Sequence, residues 1–352
     1  MADQSFDPDA NIGHRDPSPA LQSLKLAIAK REKGLRLRFV HPRRDNLWVN
    51  KTREEYVLDL RKGAESLRLA RNAVVQLAEL VGINSSLWTT IQSLSEDEDT
   101  RLLNKLLWHH GREPTFVIRL TVRTDTVVRI TRRTYIPVHL PRLIDELEWA
   151  ERGGILRLLR YELRPSSIRL VMEATDHESA TSDRDGYNLE AKPSVLVFNS
   201  ENQSRAAIVL PVISFAGGTI ALPLVTNDSA VRRLAHRGQS PSQLAKDIAA
   251  EARRCARSSP YGRALAEITR LKRAPCDHDV LRKLLRNSSL ARMGRGFRDR
   301  ALSAFSAAGA HPTCFHALEA LLRACQGLSP LQRLHCEIAI GRLVWQRGGL
   351  EL

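Results

Sequence analysis

Thiols and imidazoles cluster in the last third of the chain, as Cys276-x-His278, Cys314-x-His316 and His335-Cys336. Such donors suit zinc, whose structural modules hold the ion with cysteines about two to four residues apart. None of these pairs has that spacing, and Cys325 and Cys336 lie among Leu and Ala as core cysteines do. A second donor set is Asp176-His177-Glu178 with Asp183 and Asp185, in a polar acidic stretch. Nothing in its surroundings would fix ligand geometry, so it reads as a solvated loop. Gly153-Gly154 and Gly217-Gly218 are isolated pairs, without a Walker pattern or a spaced Gly-rich turn. No Gly-x-Ser-x-Gly elbow occurs, and no cysteine is flanked as a nucleophile would be. The expectation is a non-enzymatic protein without metal or other cofactor.

Charge points more firmly. Of a net charge of +15, twelve units lie between Val231 and Arg300, where eighteen Lys and Arg face six Asp and Glu. The preceding block, Val171 to Ala230, has three basic residues against eight acidic ones. So steep a gradient implies a polyanionic partner. Forty-four of the basic residues are Arg and ten are Lys. The planar guanidinium matches phosphate and stacks on bases, which favours nucleic acid.

Alternation along Thr115 to Arg123 sets Phe116, Ile118, Leu120 and Val122 on one side of a strand, with Arg119 and Arg123 on the other. Those two Arg are expected to face solvent. Arg129, Arg132, Arg133 and Tyr135 follow on or just after the next strand. Arg232, Arg233, His236 and Arg237 come after the last strand, at the expected start of a helix. These ten residues are the candidate nucleic-acid-binding set, with Tyr135 available to stack on a base. The plain alternative is a solvated surface that pairs internally with the acidic loop.

The elements that must position this set change in character along the chain. Residues 1–19 are polar, with four Asp and three Pro, and read as a disordered tail rather than a secretory signal. Residues 20–111 read as an N-terminal helical region: a helix to Lys33 capped by Gly34, then extended chain. Thr52-Arg-Glu-Glu55 and Ser95 with Glu98 are capping boxes that open further helices. Residues 112–230 read as an antiparallel sheet core crossed by a helix from Pro141 to Arg152, with a mobile loop over Thr175 to Pro193. Residues 231–352 read as a basic all-helical region, with Ser240-Pro241 and Ser329-Pro330 as helix starts. The class is α+β. No run reaches the ~18 apolar residues of a membrane span, and five scattered Cys suit a reducing cytoplasm.

Several short segments resemble a family of phage- and plasmid-encoded proteins that carry a domain of unknown function. They are Val197-Phe-Asn-Ser-Glu201, Arg233 to Gly238, Arg129 to Tyr135 with Pro137, Pro312 to Ala320, and Ile340-Gly-Arg-Leu343. Phe215-Ala-Gly-Gly218 stands where that family tends to have Cys-x-Asn-Gly, and Thr131 where it has Ser. The resemblance implies an accessory protein of a mobile element and brings no catalytic residues. In outline, a helix-flanked sheet with a basic strand face is also similar to single-strand annealing proteins. The expected function is nucleic-acid binding, with single-stranded DNA the favoured partner and annealing in recombination a use for it. The alternative is a subunit of a protein assembly, such as a homo-oligomer packed through Leu318, Leu321, Leu322, Leu328 and Leu331.

Overall fold

The computed structural model describes residues 16–345 except 53–54, 61–64, 94–97, 110–115, 122–123, 133–134, 136, 165–166, 178–190, 201–205, 216–217, 223–231, 236–239, 259–260, 287 and 310. Most of the expected tail, residues 1–15, lies outside them. Ser18 and Pro19 do not belong to a tail, because the Ser18 hydroxyl caps α1 (Pro19–Lys33) by accepting from the Leu21 N–H at 3.3 Å.

The chain then runs extended through β1 (Leu35–Val40), β2 (Trp48–Thr52), β3 (Glu55–Leu60) and β4 (Glu65–Leu69). Thr52 pairs with Glu55 across a hairpin, where the capping-box spacing suggested a helix start. Leu58 and Leu60, and then Leu67 and Leu69, are buried at every second position, and that period of two overrides the local cap signal. Helices α2 (Arg71–Leu80), α3 (Ser85–Gln92) and α4 (Glu98–His109) follow, then β5 (Phe116–Thr121) and β6 (Thr126–Arg132). The six strands form one sheet in the order β1-β5-β6-β4-β3-β2. This first sheet is mixed rather than antiparallel, because β4 and β6 run parallel. Its core joins Leu58, Leu67, Leu77, Trp88, Leu103, Ile118 and Val127.

A second sheet begins after α5 (Leu140–Arg152), which ends at Gly153 and Gly154, the latter at φ +64. Its strands are β7 (Leu156–Arg164), β8 (Ser167–Ala174), β9 (Lys192–Ser200), β10 (Ala206–Phe215), β11 (Gly218–Ala221) and β12 (Arg232–Ala235). All its pairings are antiparallel, and β11 and β12 each pair with β10. Helices follow as α6 (Pro241–Ser258), α7 (Tyr261–Arg273), α8 (His278–Leu285), α9 (Ser288–Ala291), α10 (Arg295–Ser306), α11 (Cys314–Cys325) and α12 (Pro330–Trp345).

The apolar runs of β9 and β10 are buried on both faces. Leu170, Met172, Val195, Val197 and Val209 pack toward α1, α5 and α6. Val171, Leu196, Phe198, Ile208 and Leu210 pack toward Leu334 and Ile338 of α12. Burying each such side chain is worth roughly 1.5–3 kcal/mol, so this three-layer arrangement dominates the stability of the second half. The fold is α+β, with two sheets and a helical C-terminal part. Among the described residues no helix is long and apolar enough to cross a membrane.

Candidate nucleic-acid interface

Arg119 and Arg129 do not face solvent. They are paired across β5 and β6, and only 8% and 5% of their surface is exposed. Arg119 lies 3.8 Å from the Glu32 carboxylate at the end of α1. The Arg129 guanidinium lies over the Tyr135 ring, 4.1 Å from its centroid. Alternation placed both Arg correctly on the face opposite Ile118 and Leu120. It did not reveal that α1 and the chain after β6 approach that face. Tyr135, stacked under Arg129, already holds a cation where a base was expected.

The rest of the predicted set is dispersed. Arg132 ends β6 in the first sheet, whereas Arg232 and Arg233 lie on β12 of the second, opposite Val209 and Ile208. The expected helix start at Arg232 is thus an edge strand. Its backbone satisfies the free side of β10 before the helix opens at Ser240, whose hydroxyl accepts from the Gln243 N–H at 3.1 Å. Arg123, Arg133, His236 and Arg237 lie outside the described residues. The described arginines of the set therefore lie on strands of two different sheets.

A compact charged group does form inside the second half. Arg169 on β8 is 3% exposed, and its Nη2 donates to both oxygens of Glu337 on α12, at 2.7 and 2.9 Å. The same nitrogen donates to the Thr219 hydroxyl at 2.9 Å. Arg333, one turn before Glu337, donates to Glu337 at 3.1 Å and to Glu162 on β7 at 2.6 Å. Arg160 donates to the carbonyls of Phe215 and Gly218, at 3.0 and 2.9 Å. Burial, and then the charges of Arg169 and Arg333, push its guanidinium below the ordinary arginine value. Three cations and two carboxylates thus tie β7, β8 and β11 to α12. With Glu337 held by two guanidiniums, the group fixes the helix on the sheet.

The sulfur and imidazole groups are also spent on packing. Cys276 and Cys314 meet where the Cys276 N–H donates to Pro312 O at 3.0 Å and the Cys314 N–H to Ala274 O at 2.8 Å. Cys325 and Cys336 lie 3.1 Å apart, sulfur to sulfur. In each pair the partner thiol, and then burial, push the Cys276 and Cys325 thiols up, so they remain protonated. His278 turns to Ser306 at 3.0 Å, and His316 Nδ1 accepts from the Thr313 N–H at 3.0 Å as a helix cap. His177, from the acidic stretch, meets the Ala256 carbonyl at 2.7 Å and packs on Tyr261. Glu178, Asp183 and Asp185 lie outside the described residues. Among the described residues no three His, Cys, Asp or Glu could hold a metal ion together.

The accessible charge lies on the helices. Between Pro241 and Ser306, eleven Lys and Arg are exposed, against three Asp. Arg254, Arg282 and Arg295 pair with Glu251, Asp279 and Asp299 on their own helices. Lys283 lies near enough to Asp277 for its charge to act on that carboxylate, while Lys246, Arg257, Arg263, Arg273, Arg286 and Arg292 have no carboxylate partner among the described residues. Helical period sets this outcome: on α8, burying Leu281, Leu284 and Leu285 leaves Arg282 and Lys283 outside, with Arg286 just beyond. The charge excess of Val231 to Arg300 is the sequence signal for these helices, whereas the candidate set lies on two strands, just after them and at an expected helix start. The leucines expected to meet a second copy are inward. Leu318, Leu321 and Leu322 are 1%, 2% and 1% exposed, and Leu328 and Leu331 pack on the protein's own cores.

No family model, no curated protein and no solved structure matches the chain.

Proposed function

We propose that the protein binds nucleic acid without catalysing a reaction, and that its phosphate contacts come from the exposed helices α6 to α10. Single-stranded DNA is the favoured partner, with annealing in recombination its use. The reading makes the protein a cytoplasmic accessory protein of a mobile element, in keeping with the resemblance to phage- and plasmid-encoded proteins. The observation that carries it is the imbalance on these helices, eleven exposed cations against three exposed carboxylates. Dispersed, rotatable cations on helix faces track a phosphate backbone without reading sequence.

Equilibrium binding of a labelled single strand and its duplex, from ~50 to ~300 mM salt, tests the reading. Affinity is expected to fall steeply with salt, by about 0.7–0.9 of log–log slope per phosphate contact. Replacing Lys283, Arg286 and Arg292 by alanine is expected to flatten the single-strand slope by about 2. Weak binding of both forms at the lowest salt would overturn the proposal.

A further inference from the structure

Three of the five indoles are exposed, and two of these share one end of the first sheet. Trp48 opens β2 with 51% of its surface exposed, and Trp108 near the end of α4 is 58% exposed. Three contacts bring them together. Lys51 lies 3.3 Å from Asp99 at the start of α4. The Asn104 side chain accepts from the Val49 N–H at 2.7 Å and donates to the Val49 carbonyl at 2.8 Å. Arg43, before β2, donates to the Trp108 carbonyl at 3.1 Å. Helix α4 therefore runs antiparallel along the edge strand, so its C-terminal end lies beside the start of β2.

Cations lie in line with the indoles. Arg101, Lys105 and Trp108 are spaced by four and three residues, which places them along one exposed face of α4 over about 10 Å. Arg101 and Lys105 have no carboxylate partner among the described residues. The Arg43 guanidinium sits 5.8 Å from the centre of the Trp108 ring, which leaves more than half of the indole in water. The nearby acids are largely engaged. Asp45 accepts from the His41 N–H at 2.8 Å, and Asp99 is buried against Tyr56 and Lys51. Glu98, exposed in the first turn of α4, is three residues before Arg101 and lies at the end of the face away from the indoles.

We propose that this face, Arg101–Lys105–Trp108 with Arg43 and Trp48, is a stacking surface for the bases of a single-stranded nucleic acid. The inference rests on the nucleic-acid reading above and adds the element that would select a single strand. The cations offer charge complementarity to phosphate, and the indoles offer flat apolar faces at the same place. A duplex keeps its bases stacked inside and can use only the cations. Cations alone suit any polyanion; the exposed indoles among them are what single out unpaired bases.

Tryptophan fluorescence of the full chain, titrated with oligothymidylate and with a duplex of equal length, tests the proposal. Of the other three indoles, Trp88 is buried, Trp345 donates to the Ala221 carbonyl, and Trp149 on α5, 41% exposed under Arg253, stays in every variant and so reports any quench from outside this face. Oligothymidylate is expected to quench the wild type, and Trp48→Phe with Trp108→Phe to abolish most of the quench. Trp108→Ala is expected to weaken single-strand binding about tenfold, and to leave duplex affinity and salt slope unchanged. Arg101→Ala with Lys105→Ala is expected to flatten the single-strand slope by about 1.4. Circular dichroism checks that each variant is folded. If the alanine and phenylalanine variants bind and quench like wild type, this surface is ruled out while the phosphate reading stands. If wild type binds neither strand nor duplex, both proposals fall.

Discussion

In the second sheet, Arg169 meets both oxygens of Glu337, and Arg333 and Glu162 complete the group. In the first sheet, Arg119 and Arg129 oppose each other across two strands, with Glu32 at 3.8 Å from one and the Tyr135 ring under the other. Both sheets thus bury arginine, but by different means. The second sheet is packed with apolar residues on both faces, so a cation there is cut off from water and must be matched by carboxylates. The first sheet has its apolar core on one face. On the other, Glu32 keeps about a third of its surface exposed. Water still screens the charge there, and a looser arrangement suffices. What lies across from a strand decides whether its arginine is an external contact or an internal tie.

The sharpest way to break this contrast is to remove one carboxylate from each sheet. Glu337→Ala would leave Arg160, Arg169 and Arg333 facing Glu162 alone within the buried group. Truncating one partner of a buried pair costs about 3–5 kcal/mol, so urea unfolding is expected to shift by that amount. Glu32→Ala removes a half-exposed partner and is expected to cost about 1 kcal/mol or less. Equal costs at the two positions would show that the two environments do not differ.

A smaller effect probes the same layer through shape instead of charge. Gly341 of α12 packs against the backbone of β11, and a Cβ at that position would stand 2.2 Å from the Ala221 carbonyl oxygen. Gly341→Ala would push the helix off the sheet and loosen the Glu337–Arg169 contact one turn away. Overpacking of this kind costs about 1–3 kcal/mol, and the better helix propensity of Ala offsets up to about 1 of it. A variant as stable as wild type would mean that α12 can slide, and that the charged group does not fix it.

The second half was the more legible in sequence, and the reason is physical. Val195 to Phe198 and Ala206 to Ile213 are near-continuous apolar runs, which only a sheet covered on both faces accommodates. α5 announced itself through Pro141, a helical stripe and Gly153-Gly154. β1 to β4 were harder, because their apolar positions alternate with Arg, Lys, Glu and Asp, and a capping-box spacing falls on a hairpin. Their order in the sheet depends on β5 and β6, which arrive only after three helices. The burial of Arg119 was not legible, since it depends on the end of α1 reaching the strand face. Cys325 and Cys336 were legible as core residues from their Leu and Ala neighbours, but their contact with each other was not.

The subtlest difference between the halves appears at high pH. The charged cluster of the second half is built from guanidiniums and carboxylates. In the first half, the polar group beneath α4 includes a phenol. Tyr56 donates to Asp99 and accepts from Gln92 Nε2 at 3.0 Å. Burial, and then the bond to Asp99, push its pKa up to about 12. A folded-state value above the unfolded ~10 means that the stabilising contribution is full below pH ~10. It is lost as pH rises through about 12, when a phenolate would face the buried Asp99 carboxylate. The difference in phenolate absorbance between wild type and Tyr56→Phe is expected to rise near pH 12. A midpoint near ~10 would show Tyr56 to be as accessible as a free tyrosine. The bond to Asp99 would then not hold α3 and α4 against β3, and the first half would lose the titratable tie that sets it apart from the second.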